Sequence, residues 1–148
     1  MKTKEIINMK LFINEISNEN CHLYLWTTNN FLENALLVMR EWDFIYKTKI
    51  EWIKGNPITN KFEKFGLGQY FRGISETCLF GVKGNLPYKT IDNKRQQGQT
   101  AFFSHRKKHS EKPMEMRKMI EKVSYPPYIE LFAREQFDGW DCWGNEIE

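Results

Sequence analysis

The sequence predicts an α/β fold with a mixed sheet, and three observations support this class. Residues 21–26 form an apolar and aromatic run broken only by His22, which is typical of a strand buried on both faces of a parallel sheet, and residues 128–133 predict a second buried strand. Residues 44–53 alternate between apolar and polar side chains, which is the period of a half-exposed antiparallel strand. Helical periodicity separates these segments, and strands interspersed with helices are the pattern of an α/β domain.

The first helix is predicted after the strand at residues 21–26. Apolar residues recur at i, i+3, i+4 and i+7 from Leu32 to Met39, which gives one buried face. Asn30, followed by Glu33 three residues later, matches an N-terminal capping signal. The helix should therefore end near Trp42.

The remaining elements follow from local patterns. Residues 77–82 are the expected antiparallel partner of residues 44–53, and residues 101–104 begin another short strand. Residues 55–73 and 84–100 are rich in glycine and polar side chains and predict mobile loops. Pro113 suits the N1 position of a second helix, because its missing N–H costs nothing there. The buried face of that helix consists of Met116, Met119, Ile120 and Val123.

Composition limits the classes of protein. A chain of 148 residues with 41% hydrophobic side chains can bury one core, so residues 1–148 are expected to form a single domain. The formal net charge of +3 is too small to require a nucleic-acid partner, although it permits one. No apolar run reaches the length of a signal peptide or a membrane span, so a soluble protein that does not contact a membrane is expected.

Cysteine and histidine usage further limits the classes of protein. Three widely spaced cysteines without a Cys-x-x-Cys pair indicate neither a disulfide framework nor a zinc site, and they suit a reducing cytoplasm. The three histidines lack metal-ligand spacing, so no metal is expected. The chain is therefore expected to be cytoplasmic.

Two segments together suggest a nucleotide-cofactor site. The strand at residues 128–133 runs into a polar loop that ends in Gly144-Asn145-Glu146, and an amide beside a carboxylate suits a ribose diol. About twenty residues upstream of this segment, Lys112 lies at a helix start, where an ammonium and free N–H groups favour a carboxylate. From local sequence alone, Lys112 is a solvated surface lysine, and Asn145 with Glu146 is a frayed tail.

In order and spacing, these motifs resemble one family: the S-adenosylmethionine-dependent N6-adenine methyltransferases. It includes the catalytic subunit of the eukaryotic mRNA adenosine methylase and many bacterial and phage DNA adenine methylases. The resemblance covers nearly the whole chain, including Leu-Tyr-Leu-Trp-Thr-Thr at residues 23–28, Gly-Leu-Gly-Gln-Tyr at 66–70, residues 76–84, His-Ser-Glu-Lys-Pro at 109–113, Ile-Glu-Leu-Phe-Ala-Arg at 129–134, and residues 139–146.

The resemblance implies a three-layer Rossmann-like methyltransferase fold with a circularly permuted motif order. It also implies methyl transfer from S-adenosylmethionine to the N6 of an adenine in DNA or RNA that is flipped out of its stack. By the same resemblance, Lys112 holds the methionine carboxylate of the cofactor, Asn145 and Glu146 bind the ribose hydroxyls, and Arg134 lies near the ribose.

A second set of residues suits a nucleic-acid partner. Glycine-spaced aromatic and basic loops can follow a phosphate backbone and stack on a base. The residues concerned are Lys64, Tyr70, Arg72, Lys94 and Arg95.

The family's catalytic signature, Asp-Pro-Pro-Trp, is absent from residues 1–148. The family places it before the strand at residues 23–26, so we expect it upstream of Met1, or expect a second chain to supply the central strand that leads into it. Tyr125-Pro126-Pro127-Tyr128 is not a substitute, because a tyrosine projects too far to take the place of a carboxylate. We expect a turn there instead.

Three functional hypotheses therefore remain. The first is the C-terminal, cofactor-binding part of a methyltransferase, inactive by itself and with no catalytic residue of its own. The second is a catalytically inactive methyltransferase-like subunit that binds nucleic acid or an active partner in a homodimer or heterodimer. The third is an unrelated α/β domain, which would have no affinity for an adenosyl ligand.

Overall fold

The computed structural model describes residues 1–63, 66–108 and 111–147. The chain divides into two compact units. The first unit comprises Met1–Pro87 and Gln99–Arg106, and the second comprises Tyr88–Gly98 and Lys107–Glu148. We describe each unit by itself, and the single domain expected over residues 1–148 stays a prediction.

The first unit contains a four-stranded mixed sheet. Its helices are α1 (Thr3–Ile7), α2 (Lys10–Ile16) and α3 (Leu32–Glu41), and its strands are β1 (Cys21–Thr27), β2 (Ile45–Lys54), β3 (Ser75–Lys83) and β6 (Ala101–Ser104). The strand order is β1-β3-β2-β6. The β1–β3 and β3–β2 pairs are antiparallel and the β2–β6 pair is parallel. The predicted mixed α/β class is confirmed, and the parallel pair comes from the predicted short strand at residues 101–104.

Strand β1 corrects one expectation. It lies at the edge of this sheet and pairs antiparallel with β3, and all seven of its residues are half-buried. The prediction of a strand buried on both faces of a parallel sheet is therefore wrong for residues 21–26 within the described part of the chain. Its aromatic side chains instead pack against aromatic residues of the same sheet, as with Tyr24 on Phe80 of β3 and Trp26 on Trp52 of β2. An apolar run reports packing and does not report the direction of strand pairing.

Helix α3 is confirmed, but its predicted cap is not. Asn30 lies inside a short 3-10 turn, Asn29–Phe31, so the N-cap residue is Phe31 and its side chain makes no capping hydrogen bond. The helix buries Val38 and Met39 against the sheet. Gly81 on β3 leaves room for this packing, since a Cβ there would lie 2.8 Å from the Met39 sulfur.

The predicted antiparallel pair, β2 with β3, forms the centre of the first unit. Trp52, Cys78 and Leu79 are almost completely buried there, and the Trp52 indole Nε1 donates to the Ser104 carbonyl on β6 at 2.9 Å. The predicted alternation fails at Tyr46, which is exposed. The register of β2 shifts between Tyr46 and Thr48, and such a bulge interrupts the two-residue period.

The second unit contains two short two-stranded sheets and one helix. Strands β4 (Thr90–Ile91) and β5 (Lys94–Arg95) form a hairpin, α4 spans Met114–Val123, and β7 (Tyr128–Leu131) pairs in parallel with β8 (Trp140–Trp143).

Four expectations for this part of the chain are corrected. Residues 84–100 contain a hairpin, because Asp92 and Asn93 adopt the positive φ angles that a tight hairpin turn needs. Residues 140–143 form a strand and not a polar loop. Pro113 is the N-cap of α4, one residue before the expected N1 position, and β7 is half-exposed instead of buried.

No helix among the described residues is long and apolar enough to cross a membrane.

Candidate cofactor and nucleic-acid sites

The carboxyl ends of β7 and β8 lie together because these strands are parallel. Ala133 follows β7, and its N–H donates to the Trp143 carbonyl at 2.9 Å. Gly144 follows β8, and a Cβ there would lie 2.2 Å from the Ala133 oxygen. Because only glycine permits this approach, the two chain segments that leave the strands are in contact. Carboxyl ends of parallel strands are the usual place for ligands in α/β folds.

Arg134 and Glu146 meet at this edge. Arg134 Nη1 lies 3.4 Å from Glu146 Oε2, and the two side chains are 43% and 58% exposed. An ion pair this open contributes about 0–1 kcal/mol, so it orients the groups without locking them. Asn145 lies between Gly144 and Glu146 and is exposed. Three of the four predicted cofactor residues therefore lie at one solvent-accessible edge.

Helix α4 runs antiparallel to β7. Near its C-terminal end, Glu121 Oε1 accepts from Trp140 Nε1 at 2.9 Å, beside the start of β8. One turn earlier, Arg117 Nη2 lies 2.7 Å from Glu130 Oε2, two residues into β7. From Glu121 back to Arg117 the helix rises about 6 Å, and from Tyr128, the partner of Trp140, forward to Glu130 the strand advances about 6.6 Å. Moving back along α4 thus matches moving forward along β7 by a similar distance, which makes the two elements antiparallel. The N-terminus of α4 therefore points toward the edge that carries Arg134 and Glu146.

Lys112 is half-buried and immediately precedes Pro113, the N-cap of α4. From Arg117 back to Met114, the first residue of α4, the helix axis advances about 4.5 Å, which corresponds to between one and two strand residues beyond Glu130. Lys112 precedes this end of the helix. His109 and Ser110, which belong to the same predicted motif, lie outside the described residues.

Arg117 is a half-buried residue that sequence reasoning missed. Its side chain is 12% exposed, and its guanidinium carbon lies 3.2 Å from the centroid of the Phe137 ring and 5.3 Å from that of Trp140. The ion pair with Glu130 satisfies one end of the group. Arg117 thus joins α4, β7 and the loop that carries Phe137. The sequence contained two signals for this contact: an arginine among the apolar positions of α4, and several aromatic side chains within residues 137–143.

Tyr125, Pro126 and Pro127 lie in the connection between α4 and β7, as expected for a turn. The Tyr125 phenol oxygen lies 3.5 Å from the Thr90 hydroxyl and accepts from the Thr90 N–H at 3.1 Å. These hydrogen bonds lower the pKa of the Tyr125 phenol. The phenol is therefore held by the hairpin strand β4.

The predicted nucleic-acid residues that the structure describes are distributed over both units. Tyr70 and Arg72 are exposed in the first unit, and Lys94 and Arg95 are exposed on β5 in the second. The Arg95 guanidinium stacks on the Tyr88 ring, with its carbon 4.1 Å from the ring centroid, and Nη2 donates to the Tyr88 hydroxyl at 2.7 Å. Lys64 lies outside the described residues.

Comparison with known proteins identifies the class. The sequence profile of the MT-A70 family matches residues 1–146, so the chain belongs to the MT-A70 family, and the resemblance seen in the sequence motifs is confirmed. The chain is also 35% identical, over 150 aligned residues, to the type II methyltransferase M.MunI of Mycoplasma sp. That alignment covers 99% of this chain and 58% of M.MunI, so the chain spans a little more than half the length of this relative.

Proposed function

We propose that this chain is the cofactor-binding part of an S-adenosylmethionine-dependent methyltransferase that acts on adenine N6 in DNA, with RNA as the alternative substrate. The motif order would be circularly permuted, with the catalytic segment before the cofactor segment. Membership of the MT-A70 family and similarity to a type II methyltransferase support this class. The observation that carries the assignment to a site is the edge where Arg134, Asn145 and Glu146 lie together.

The side chains at this edge fit the cofactor chemically. When bound, S-adenosylmethionine would supply the methyl group on its sulfonium. The Glu146 carboxylate would accept from ribose hydroxyls, and the Asn145 amide can both donate and accept. Arg134 would orient Glu146 through their ion pair. Lys112 and N–H groups at the start of α4 would hold the methionine carboxylate.

We assign no catalytic residue within residues 1–148. Adenine N6 needs an acceptor pair of the kind that Asp-Pro-Pro-Trp supplies, and this signature is absent from the sequence. The Tyr125 phenol is already held by Thr90. The proposed contribution of this chain to catalysis is therefore positioning of the cofactor, which lowers a barrier by orienting the reacting groups.

Calorimetric titration with S-adenosylmethionine tests the proposal. We expect Lys112→Ala to weaken binding by roughly 1.5 to 3 kcal/mol, or about 10- to 150-fold, because a hydrogen bond to a charged group is lost. Lys118→Ala is the matched control, since Lys118 is exposed on the same helix, and its affinity should equal that of the unmodified chain. Unchanged affinity in Lys112→Ala would remove this lysine from the site. A chain that shows no binding at all would refute the proposal.

The second candidate is a catalytically inactive subunit that binds nucleic acid or an active partner, and the exposed basic side chains of β5 favour it. Cofactor binding distinguishes the two, because a subunit with a purely structural role does not need to retain Lys112, Arg134, Asn145 and Glu146. Equal cofactor affinity in the unmodified chain and in a variant with all four residues replaced by alanine would favour this candidate.

A further inference from the structure

Residues 66–73, which we call the aromatic loop, expose three large apolar side chains. Leu67 is 96% exposed, Tyr70 91% and Phe71 90%. A single exposed apolar residue is ordinary, but three within five residues form the kind of patch that marks an interaction site. Phe71 was not among the residues that the sequence singled out.

The aromatic loop has a closed base. The Gly66 N–H donates to the Gly73 carbonyl at 2.9 Å. A Cβ at Gly68 would lie 1.9 Å from the Phe71 oxygen, and one at Gly66 would lie 2.9 Å from the Gly73 oxygen. Glycine is therefore required at both positions for the backbone to fold this tightly. The compact backbone leaves Tyr70 and Phe71 facing solvent.

Positive charge accompanies the exposed rings. Arg72 lies in the loop, which contains no acidic residue, and the Arg106 guanidinium lies 3.9 Å from the Cβ position of Gly66. The nearby acid, Glu63, is already engaged, since it accepts from the Arg106 N–H at 2.9 Å and pairs with His105 Nδ1 at 2.5 Å. A surface of aromatic rings and cations is complementary to nucleic-acid bases and phosphates.

We propose that Tyr70 and Phe71 stack on unpaired bases of the nucleic-acid substrate while Arg72 and Arg106 contact adjacent phosphates. This inference rests on the proposed function, in which the target adenine leaves its stack. It adds the form of the substrate at this loop: single-stranded or locally unpaired nucleic acid. Fully paired duplex offers no free base face for either ring.

Fluorescence anisotropy with the 148-residue chain tests the proposal on three labelled DNA probes of one sequence. The probes are a single strand, a duplex with one bulged adenine, and a fully paired duplex, all at one salt concentration. The unmodified chain should prefer the first two. The double variant Tyr70→Ala/Phe71→Ala should lose about 10- to 100-fold in affinity for those two probes, the effect of removing base–aromatic stacking, and about twofold or less for the duplex.

Two glycine variants separate the shape of the loop from its chemistry. Gly68→Ala forces the backbone to move while all rings and charges remain, so it should reduce affinity for the single strand. Gly73→Ala is the matched control, because no heavy atom lies within 4 Å of a Cβ there. Leu11→Ala controls for the loss of an exposed apolar side chain elsewhere in the first unit, since Leu11 is 78% exposed. Both controls should bind like the unmodified chain.

The outcomes are distinct. Unchanged affinity of the double variant for all three probes would overturn the stacking proposal. If the double variant instead abolished self-association in sedimentation and left DNA affinity intact, the loop would be a protein-binding surface, and the proposal would again be wrong. Titration with S-adenosylmethionine in parallel separates the two proposals. A chain that binds the cofactor and none of the probes refutes stacking, and one that shows loop-dependent DNA binding without cofactor binding refutes the proposed cofactor site.

Discussion

The two units are stabilised by different kinds of contact. Among the buried apolar side chains of the described residues, twelve belong to the first unit and three, Pro113, Met116 and Ala133, to the second. The first unit has an apolar sheet centre around Trp52 and Leu79. The second unit relies more on polar and cation–aromatic contacts around Arg117. The proposed cofactor residues belong to the unit with the smaller apolar core.

This difference explains where side-chain chemistry is available for binding. A fully buried apolar centre stabilises a unit, but its residues contact no ligand. In the second unit, the parallel ends of β7 and β8 leave Arg134 and Glu146 exposed, and Gly144 keeps the two segments in contact. Substitutions in the first unit should therefore change stability most, whereas those at the edge of the second should change cofactor affinity.

The largest effect is expected at the centre of the first unit. Trp52→Ala should lower the free energy of unfolding by about 3–5 kcal/mol, because it removes a large buried side chain and leaves a cavity. Urea denaturation followed by circular dichroism measures this change. Trp52→Phe is the control, because it keeps an aromatic ring and loses only the Nε1–H donor to the Ser104 carbonyl. That carbonyl still accepts from the Gly55 N–H, so the free energy of unfolding should fall by about 1 kcal/mol. A loss below about 1 kcal/mol in Trp52→Ala would contradict the assigned core.

A smaller effect is expected at the polar centre of the second unit. Arg117→Met keeps the length of the side chain and leaves Glu130 without this charge partner, so about 2–3 kcal/mol of local stability should be lost. The loss is less than for a fully buried pair because Glu130 is partly exposed. Hydrogen exchange of residues 128–131 and 140–143 reports it, and the amides of β3 should stay protected. Uniformly faster exchange in both units would show that they do not unfold separately.

The sequence allowed much of the first unit to be predicted, and the reason is periodicity. The patterns that predicted β2 and β3 and the helical period of α3 come from residues whose burial is decided locally along each element. The antiparallel pairing of β1 was missed, since an apolar run is compatible with either direction of pairing. The half-buried state of β1 depends on which other strands and helices the fold places beside it.

Much less of the second unit was predictable. The hairpin turn at Asp92 and Asn93 carried a recognisable turn signal, but the surrounding polar residues suggested a mobile loop. Strand β8 pairs with β7 across eight intervening residues, and no local pattern encodes that contact. The approach of Arg134 to Glu146 depends on this pairing and on Gly144. Family resemblance named these two residues, whereas their geometry required the structure.

The smallest predicted effect concerns Glu63, a half-buried carboxyl of the first unit. The hydrogen bond from the Arg106 N–H, together with the contact to His105, holds the pKa of the Glu63 carboxyl below its ordinary value. A carboxyl whose pKa is lower in the folded state stabilises that state above the ordinary value, and this stabilisation disappears as the pH falls through the folded pKa. Glu63→Gln keeps the shape and an acceptor oxygen but cannot ionise. We therefore expect the unmodified chain to be slightly more stable than Glu63→Gln at pH 6, and this difference to shrink as the pH falls toward about 3, below the ordinary glutamate pKa of about 4.3. Urea titrations of both proteins across this pH range measure the difference. A difference that grows on acidification would reverse the assigned sign and would show that Glu63 is better accommodated in its protonated form.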